Sequence, residues 1–188
     1  MKIVSLVLGL LNSGAPAQAD LFVQLSAKFD FDPLLVIAVA WKESRLRNGH
    51  CFRGSHGLMQ IQLRGRSCRG TKAEADKKRL YDPRSNLTRG LELMSYWRKW
   101  GRGRSYHWLL HYNQGFGLCP DGGKRCSFRR RVPIQTGRIG GYADRVLRFY
   151  RRLKEAATCL RTGKNPSICR QVLRRRSRHT LPRFLPNV

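Results

Sequence analysis

The feature that most constrains the fold is an uninterrupted apolar segment near the start of the chain, LLVIAVAW at positions 34–41. Asp32 and Pro33 come directly before it, and this pair supplies a helix N-cap and a first-turn proline. We therefore predict a helix that begins at Pro33 and ends at Glu43 or Ser44. The side chains predicted to pack inward are Leu34, Val36, Ile37, Ala40 and Trp41.

Three further stretches, at about 20–29, 82–97 and 142–157, repeat apolar residues at helical spacing. Runs of alternating β-branched residues, which indicate strands, are nearly absent. Residues 47–57 and 116–140 contain several glycines and are predicted to be loops. A chain of 188 residues suits one domain of ordinary size. We predict a mainly α-helical single domain.

The six cysteines all lie after residue 19, and their number is even. In an exported protein this favours disulfides, although six cysteines allow 15 complete pairings. A zinc site is disfavoured because no C-x2-C spacing occurs. The loops are therefore expected to be pinned by disulfides, and the simplest pairing joins sequence neighbours. These pairs are Cys51 with Cys68, Cys119 with Cys126, and Cys159 with Cys169.

Residues 1–19 have the pattern of a secretory signal peptide. Lys2 precedes an apolar run at 3–11, and the stretch ends in Ala17-Gln18-Ala19. This order of charge, apolar core and small residues predicts cleavage after Ala19 and an exported protein, periplasmic or secreted. The alternative is that the segment forms a short buried helix of the domain.

The charge balance is strongly basic, with 38 Lys and Arg against 11 Asp and Glu and a formal net charge of +27. Such a surface predicts a polyanionic partner. Residues 170–188 contain six Arg, no acid and two prolines, which predicts a basic, flexible tail. A nucleic-acid-binding protein is an alternative, but the signal peptide and the cysteines argue against it, and we expect no nucleic-acid partner.

Glu43 is a candidate general acid on physical grounds. It lies at the end of the apolar helix, where the helix dipole and desolvation both disfavour a carboxylate. Both effects raise the pKa of the carboxyl, as a general acid near neutral pH requires. The alternative is a surface glutamate paired with Lys42, Arg45 or Arg47.

Four motifs follow one another: Glu43-Ser44, then GLMQI at 57–61, YNQGFG at 112–117 and YADRVL at 142–147. In this order and approximate spacing they resemble the soluble lytic transglycosylases of the lysozyme-like superfamily, enzymes that cleave the glycan strands of bacterial peptidoglycan. The segment DPRSNLTRG at 82–90 is similar to the one this family places between its second and third motifs. The resemblance covers about residues 20–155 and implies a lysozyme-like catalytic domain, here assigned to residues 20–169.

The resemblance implies a role for each residue that matches a motif. Glu43 matches the catalytic acid/base, and Ser44 matches a residue that supports that end of the helix. Tyr142 resembles a tyrosine whose hydroxyl points toward the acid. Tyr142 could instead be a packing residue of an amphipathic helix.

Five more residues are implied to line the substrate cleft. Gly57, Met59 and Gln60 match the turn at the sugar subsites, where glycine permits close approach of backbone to ligand. Tyr112 and Asn113 match the pair that faces the catalytic carboxyl and the substrate. Met59 could equally be a core residue, and Tyr112 a packing residue.

One departure from the related goose-type lysozymes bears on mechanism. Those enzymes place an aspartate two positions after the motif glutamine, and here that position is Gln62. Ordinary glycosidases use two carboxylates, but a single one suffices when the substrate supplies the nucleophile. The resemblance implies that Glu43 protonates the glycosidic oxygen and then accepts the proton of the sugar's 6-hydroxyl, which forms 1,6-anhydro-MurNAc.

The implied activity is therefore peptidoglycan lytic transglycosylation by a monomer, without a metal or other cofactor. Glycan strands are the expected substrate, and anionic envelope polymers are the expected partners of the basic surface and tail. One alternative is a muramidase with a second carboxylate among Glu74, Asp76 and Asp121. Another is a non-catalytic cationic wall-binding protein.

Overall fold

A computed structural model describes residues 2–11, 15–62, 68, 74–100, 108–109, 112 and 141–174. The described part is mostly helical, as predicted. A 3-10 turn at Ala15–Gln18 follows the first helix. The α-helices are α1 (Lys2–Leu10), α2 (Ala19–Lys28), α3 (Pro33–Ser44), α4 (Glu74–Tyr81), α5 (Pro83–Trp100), α6 (Tyr142–Arg161) and α7 (Pro166–Arg174).

Helix α3 lies in the core of the domain, and every residue from 34 to 40 is buried. Its bounds agree with those predicted from the sequence. Asp32 caps it, because its Oδ1 accepts the Leu34 N–H at 2.8 Å. Trp41 differs from the prediction: it is only half-buried, and its ring stacks on Phe149 of α6 with the centroids 5.6 Å apart.

Helix α6 runs antiparallel to α3 and contacts it near both ends of α3. The Tyr142 hydroxyl, in the first turn of α6, donates to Glu43 in the last turn of α3. The Tyr150 hydroxyl, further along α6, donates to Asp32 Oδ2 at 2.6 Å. Helix α6 ends at Arg161, beyond the predicted end near Ala157.

A small antiparallel sheet follows α3, where the sequence predicted a loop. Its strands are β1 (Cys51–Phe52), β2 (Ser55–His56) and β3 (Ile61–Gln62), in the order β1-β2-β3. Cys51 pairs with His56, and His56 pairs with Ile61. Each strand has two residues, so none is long enough to show the alternation by which strands are recognised.

Helix α1 packs against α2, α6 and α7. Its residues Val4, Val7, Leu8 and Leu10 are buried. This placement corresponds to the alternative interpretation of the segment, a buried helix of the domain. Removal of residues 1–19 as a signal peptide remains a prediction.

Two disulfides join sequence neighbours in the described part of the chain. Cys51–Cys68 closes the segment that contains the sheet, and Cys159–Cys169 ties α6 to α7. Cys119 and Cys126 lie outside the described residues. Helix α7 continues to Arg174 with Leu173 buried, so the start of the predicted tail, residues 170–174, is packed and helical.

Candidate active site

Glu43 occupies the last turn of α3, just before the helix ends. Arg45 terminates α3 in the left-handed conformation, with φ of 58°. The Glu43 side chain is partly buried, and its Oε1 accepts a hydrogen bond from the Tyr142 hydroxyl. The packing of α6 against α3 therefore fixes the position of the Glu43 carboxyl.

Burial raises the pKa of Glu43 to about 7. The hydrogen bond from Tyr142 and the positive charge of Lys42 favour the ionised form and oppose this rise, but burial has the larger effect. At neutral pH the carboxyl therefore exchanges readily between its protonated and ionised forms. That property suits a group that must first give a proton and then take one.

Two tyrosines face the Glu43 carboxyl. Tyr142 is buried, and burial followed by the negative charge of Glu43 raises the pKa of its hydroxyl well above the usual 10. Burial and then Glu43 also raise the pKa of Tyr112. Both hydroxyls thus stay protonated over the working pH range and can act as hydrogen-bond donors.

Ser44 links the acid-bearing end of α3 to the turn that follows β2. Its buried hydroxyl lies 2.8 Å from the Leu58 carbonyl oxygen and 3.2 Å from that of Ala40. Because a hydroxyl has one proton, it donates to one of these at a time. The shorter contact connects the residue next to Glu43 directly to the turn.

Gly57 opens that turn with φ of 74°, a conformation that favours glycine. A Cβ atom there would lie 2.2 Å from Asn86 Nδ2 and 2.3 Å from the Leu80 carbonyl oxygen. The glycine is therefore required by the protein's own packing. A role in close approach of a ligand, which the family resemblance implies for this glycine, stays a prediction.

Met59 contacts the site through its backbone carbonyl, and the Gln60 side chain holds the turn in place. The Met59 side chain is buried, 1% exposed, and lies so close to Gly90 that a Cβ on that glycine would be 2.6 Å from Met59 Cγ. It is thus a core residue, but its carbonyl oxygen accepts a hydrogen bond from the Tyr112 hydroxyl at 2.9 Å. Gln60 Nε2 lies 3.1 Å from the His50 carbonyl oxygen and 2.9 Å from that of Gly57, and so braces the turn.

Asn86 is a site residue to which sequence reasoning gave no role. It lies near the start of α5 and is almost fully buried. Its Oδ1 accepts the Met59 N–H at 2.7 Å, while its Nδ2 donates to the carbonyls of His56 and Leu80. The signal was present in the DPRSNLTRG segment, where Asp82-Pro83 starts the helix that carries Asn86.

Asn113 and Asp121 lie outside the described residues, as do the side chains of Glu74 and Asp76. Within the part of the chain that is described, no group of His, Cys, Asp and Glu is arranged to hold a metal ion. The helices of the same part include none that is long and apolar enough to cross a membrane.

Comparison with known proteins supports the resemblance seen in the motifs. No curated protein and no solved structure matches the chain. The profile of the transglycosylase SLT domain, however, matches residues 20–125, which is more than half of the sequence. The match starts in α2 and includes Glu43, the Gly57–Gln60 turn, Asn86 and Tyr112, so the chain belongs to the transglycosylase SLT domain family.

Proposed function

We propose that the protein is an exported peptidoglycan lytic transglycosylase that cleaves the β-1,4 bond between MurNAc and GlcNAc and leaves 1,6-anhydro-MurNAc. Glu43 is the single acid/base. The observation that carries this proposal is the position of Glu43: in an SLT domain, one partly buried carboxyl with a pKa of about 7 receives a hydrogen bond from a buried tyrosine.

In the first step protonated Glu43 gives its proton to the glycosidic oxygen, and the bond from that oxygen to MurNAc C1 breaks. The N-acetyl group of MurNAc assists from the opposite face. The carboxylate that remains then accepts a hydrogen bond from Tyr142, which favours its ionised form. The buried hydroxyl thus stabilises Glu43 in the state that follows proton donation.

In the second step Glu43 takes the proton of the MurNAc 6-hydroxyl while that oxygen attacks C1. The ring closes to the 1,6-anhydro product, and Glu43 is protonated again. No water is consumed, and no second carboxylate is needed. Among the described residues, the groups that shift the Glu43 pKa through a hydrogen bond or charge are Tyr142 and Lys42, and neither is a carboxylate.

The basic surface supports a substrate in an anionic envelope. Helix α6 alone carries several exposed or half-exposed cations, and its buried acid, Asp144, is paired with Arg148. Long-range attraction would hold such an enzyme near carboxylate- and phosphate-bearing polymers. The proposal of export rests on the signal-peptide pattern of residues 1–19 and on a family that acts on the cell wall.

The decisive experiment is mass spectrometry of the fragments that the purified protein releases from sacculi. We expect muropeptides that end in 1,6-anhydro-MurNAc, lighter by one water than their reducing counterparts. Reducing MurNAc ends as the main product would instead identify a muramidase. Retention on sacculi without any release would identify a non-catalytic wall-binding protein.

A further inference from the structure

The side chain of Asn86 uses its whole hydrogen-bonding capacity on the turn next to the acid. Its amide oxygen accepts the Met59 N–H at 2.7 Å. Its two N–H groups donate to the His56 carbonyl at 2.9 Å and to the Leu80 carbonyl at 2.8 Å. Asn86 is 1% exposed, so water does not compete for these bonds.

Few other side chains could make this set of bonds. A primary amide offers an acceptor oxygen and two donors, whereas an ionised aspartate only accepts and a serine has one donor. The fit is also close in space, since a Cβ on Gly57 would lie 2.2 Å from Asn86 Nδ2. The asparagine and the glycine are therefore complementary, and together they fix where the turn begins.

Three neighbouring backbone groups of the turn are each bound by a different part of the protein. The Leu58 carbonyl accepts from Ser44, the residue after Glu43. The Met59 N–H donates to Asn86, and the Met59 carbonyl accepts from Tyr112. Asn86 thus supplies the middle bond of a series that connects α3, α5 and Tyr112.

We propose that Asn86 is a positioning residue for glycan cleavage: by fixing the Met59 backbone, it sets Ser44 and Tyr112 and so the geometry around Glu43. Asn86 itself does not touch the reacting atoms. This inference rests on the proposed function, since it names a residue that supports the same site. The proposed role differs from general fold stability, because the hydrogen bonds of the turn lead to Ser44, which follows Glu43, and to Tyr112, which faces the Glu43 carboxyl.

The test compares Asn86→Ala and Asn86→Asp with the full-length protein at about pH 5. Displacement of a catalytic group by about 1 Å can cost on the order of 10²-fold in rate. We expect Asn86→Ala to lower kcat by about that factor, with a smaller change in KM. A buried carboxyl is protonated at this pH and can accept from Met59 and donate one bond, so Asn86→Asp should recover part of kcat.

The matched control is Asn165→Ala, which removes another asparagine bond far along the chain. Asn165 Oδ1 accepts the Ser167 N–H at 2.8 Å at the start of α7. This variant should lose stability, because it removes a side-chain cap at the start of α7, and keep the wild-type kcat. A folded Asn86→Ala protein with kcat within twofold of wild type would overturn the inference.

A second measurement does not depend on activity. The chain has three Met residues, so 15N-methionine labelling isolates the Met59 amide, with Met94 in α5 as the internal reference. We expect the Met59 proton to exchange slowly in wild type and Asn86→Asp, and much faster in Asn86→Ala. If wild type released no anhydro product, the proposed function would fail by itself, while unchanged Met59 exchange in Asn86→Ala would overturn the positioning role. If Asn86→Ala does not fold, the test passes to Asn86→Asp. Faster Met59 exchange with wild-type kcat in that variant would also overturn the positioning role.

Discussion

The two ends of α3 carry the same pair of groups in opposite surroundings. At the N-terminal end Asp32 is exposed, caps the helix and accepts a hydrogen bond from Tyr150 of α6. At the C-terminal end Glu43 is partly buried and accepts a hydrogen bond from Tyr142 of the same helix. One helix pair thus holds two carboxyl–tyrosine contacts.

The comparison indicates that burial, rather than the hydrogen-bond partner, sets the two carboxyls apart. Asp32 is exposed at the start of the helix, and its side chain accepts the Leu34 N–H as an N-cap. Glu43 lies at the opposite end of the helix, and burial raises its pKa to about 7. We infer that Asp32 stabilises the fold, while Glu43 costs stability when it is ionised and supplies a transferable proton when it is protonated.

The largest expected effect is the loss of activity in Glu43→Gln. The amide keeps the shape of the side chain but cannot give or take a proton, and loss of such a group typically lowers the rate by 10²–10⁴-fold. The measurement is the initial rate of release of anhydro-MurNAc ends from sacculi. Glu92→Gln is the control, because Glu92 is an exposed residue that pairs with Arg89. Full activity of Glu43→Gln would remove Glu43 from the mechanism.

The second effect is a pH-dependent gain in stability in the same variant. Because folding raises the Glu43 pKa from 4.5 to about 7, the ionised carboxyl opposes folding, and this cost grows as pH rises from about 4.5 to about 7. A shift of this size corresponds to at most about 3 kcal/mol. We expect Glu43→Gln to raise the free energy of unfolding at about pH 8 and to leave it nearly unchanged at about pH 4, as measured by urea denaturation. Equal gains at both pH values would point to packing instead of charge.

The third effect is a loss of stability at the other end of α3. Asp32→Ala removes the cap on the Leu34 N–H and the acceptor for Tyr150, and a lost N-cap typically costs about 1 kcal/mol. Asp32→Asn, the matched control, keeps an acceptor oxygen and should lose much less. In both variants the rate of glycan cleavage should remain near that of wild type at temperatures where the protein is folded. A large fall in rate would show that the two ends are not independent.

The sequence allowed prediction of α3 in detail, because its start is set by Asp32-Pro33 and its buried length by an apolar run. Glu43 was singled out for the same reason, since it ends that apolar helix, and its role as the acid/base stays a prediction. The family resemblance was also predicted and is confirmed by the SLT match.

What the sequence could not give were contacts between residues far apart in the chain. The hydrogen bond from the Met59 N–H to Asn86 Oδ1 joins positions 27 apart, and the residues around an asparagine in a helix do not identify such a partner. The packing requirement for Gly57 was not predicted for the same reason, since the atoms that exclude a side chain belong to Leu80 and Asn86. The sheet was missed because its strands have only two residues each.

The smallest expected effect separates the two tyrosines and tests the comparison most directly. The Tyr142 hydrogen bond lowers the Glu43 pKa against the larger effect of burial. Tyr142→Phe should therefore raise that pKa above its present value of about 7, by roughly half a unit to one unit for a bond worth about 1 kcal/mol. Since the acid must be protonated, the alkaline limb of the kcat/KM profile should move to higher pH by the same amount.

Tyr150→Phe is the matched variant, because it removes the same hydroxyl from the contact with Asp32. It should lower the free energy of unfolding by about 0.5–1.5 kcal/mol and leave the alkaline limb where it is. The pH profiles of both variants on a soluble GlcNAc–MurNAc oligomer provide the measurement. If the alkaline limb of the profile moved to lower pH in Tyr142→Phe, the hydroxyl would stabilise the protonated acid. If the limb moved equally in both variants, the two ends of α3 would be electrostatically coupled.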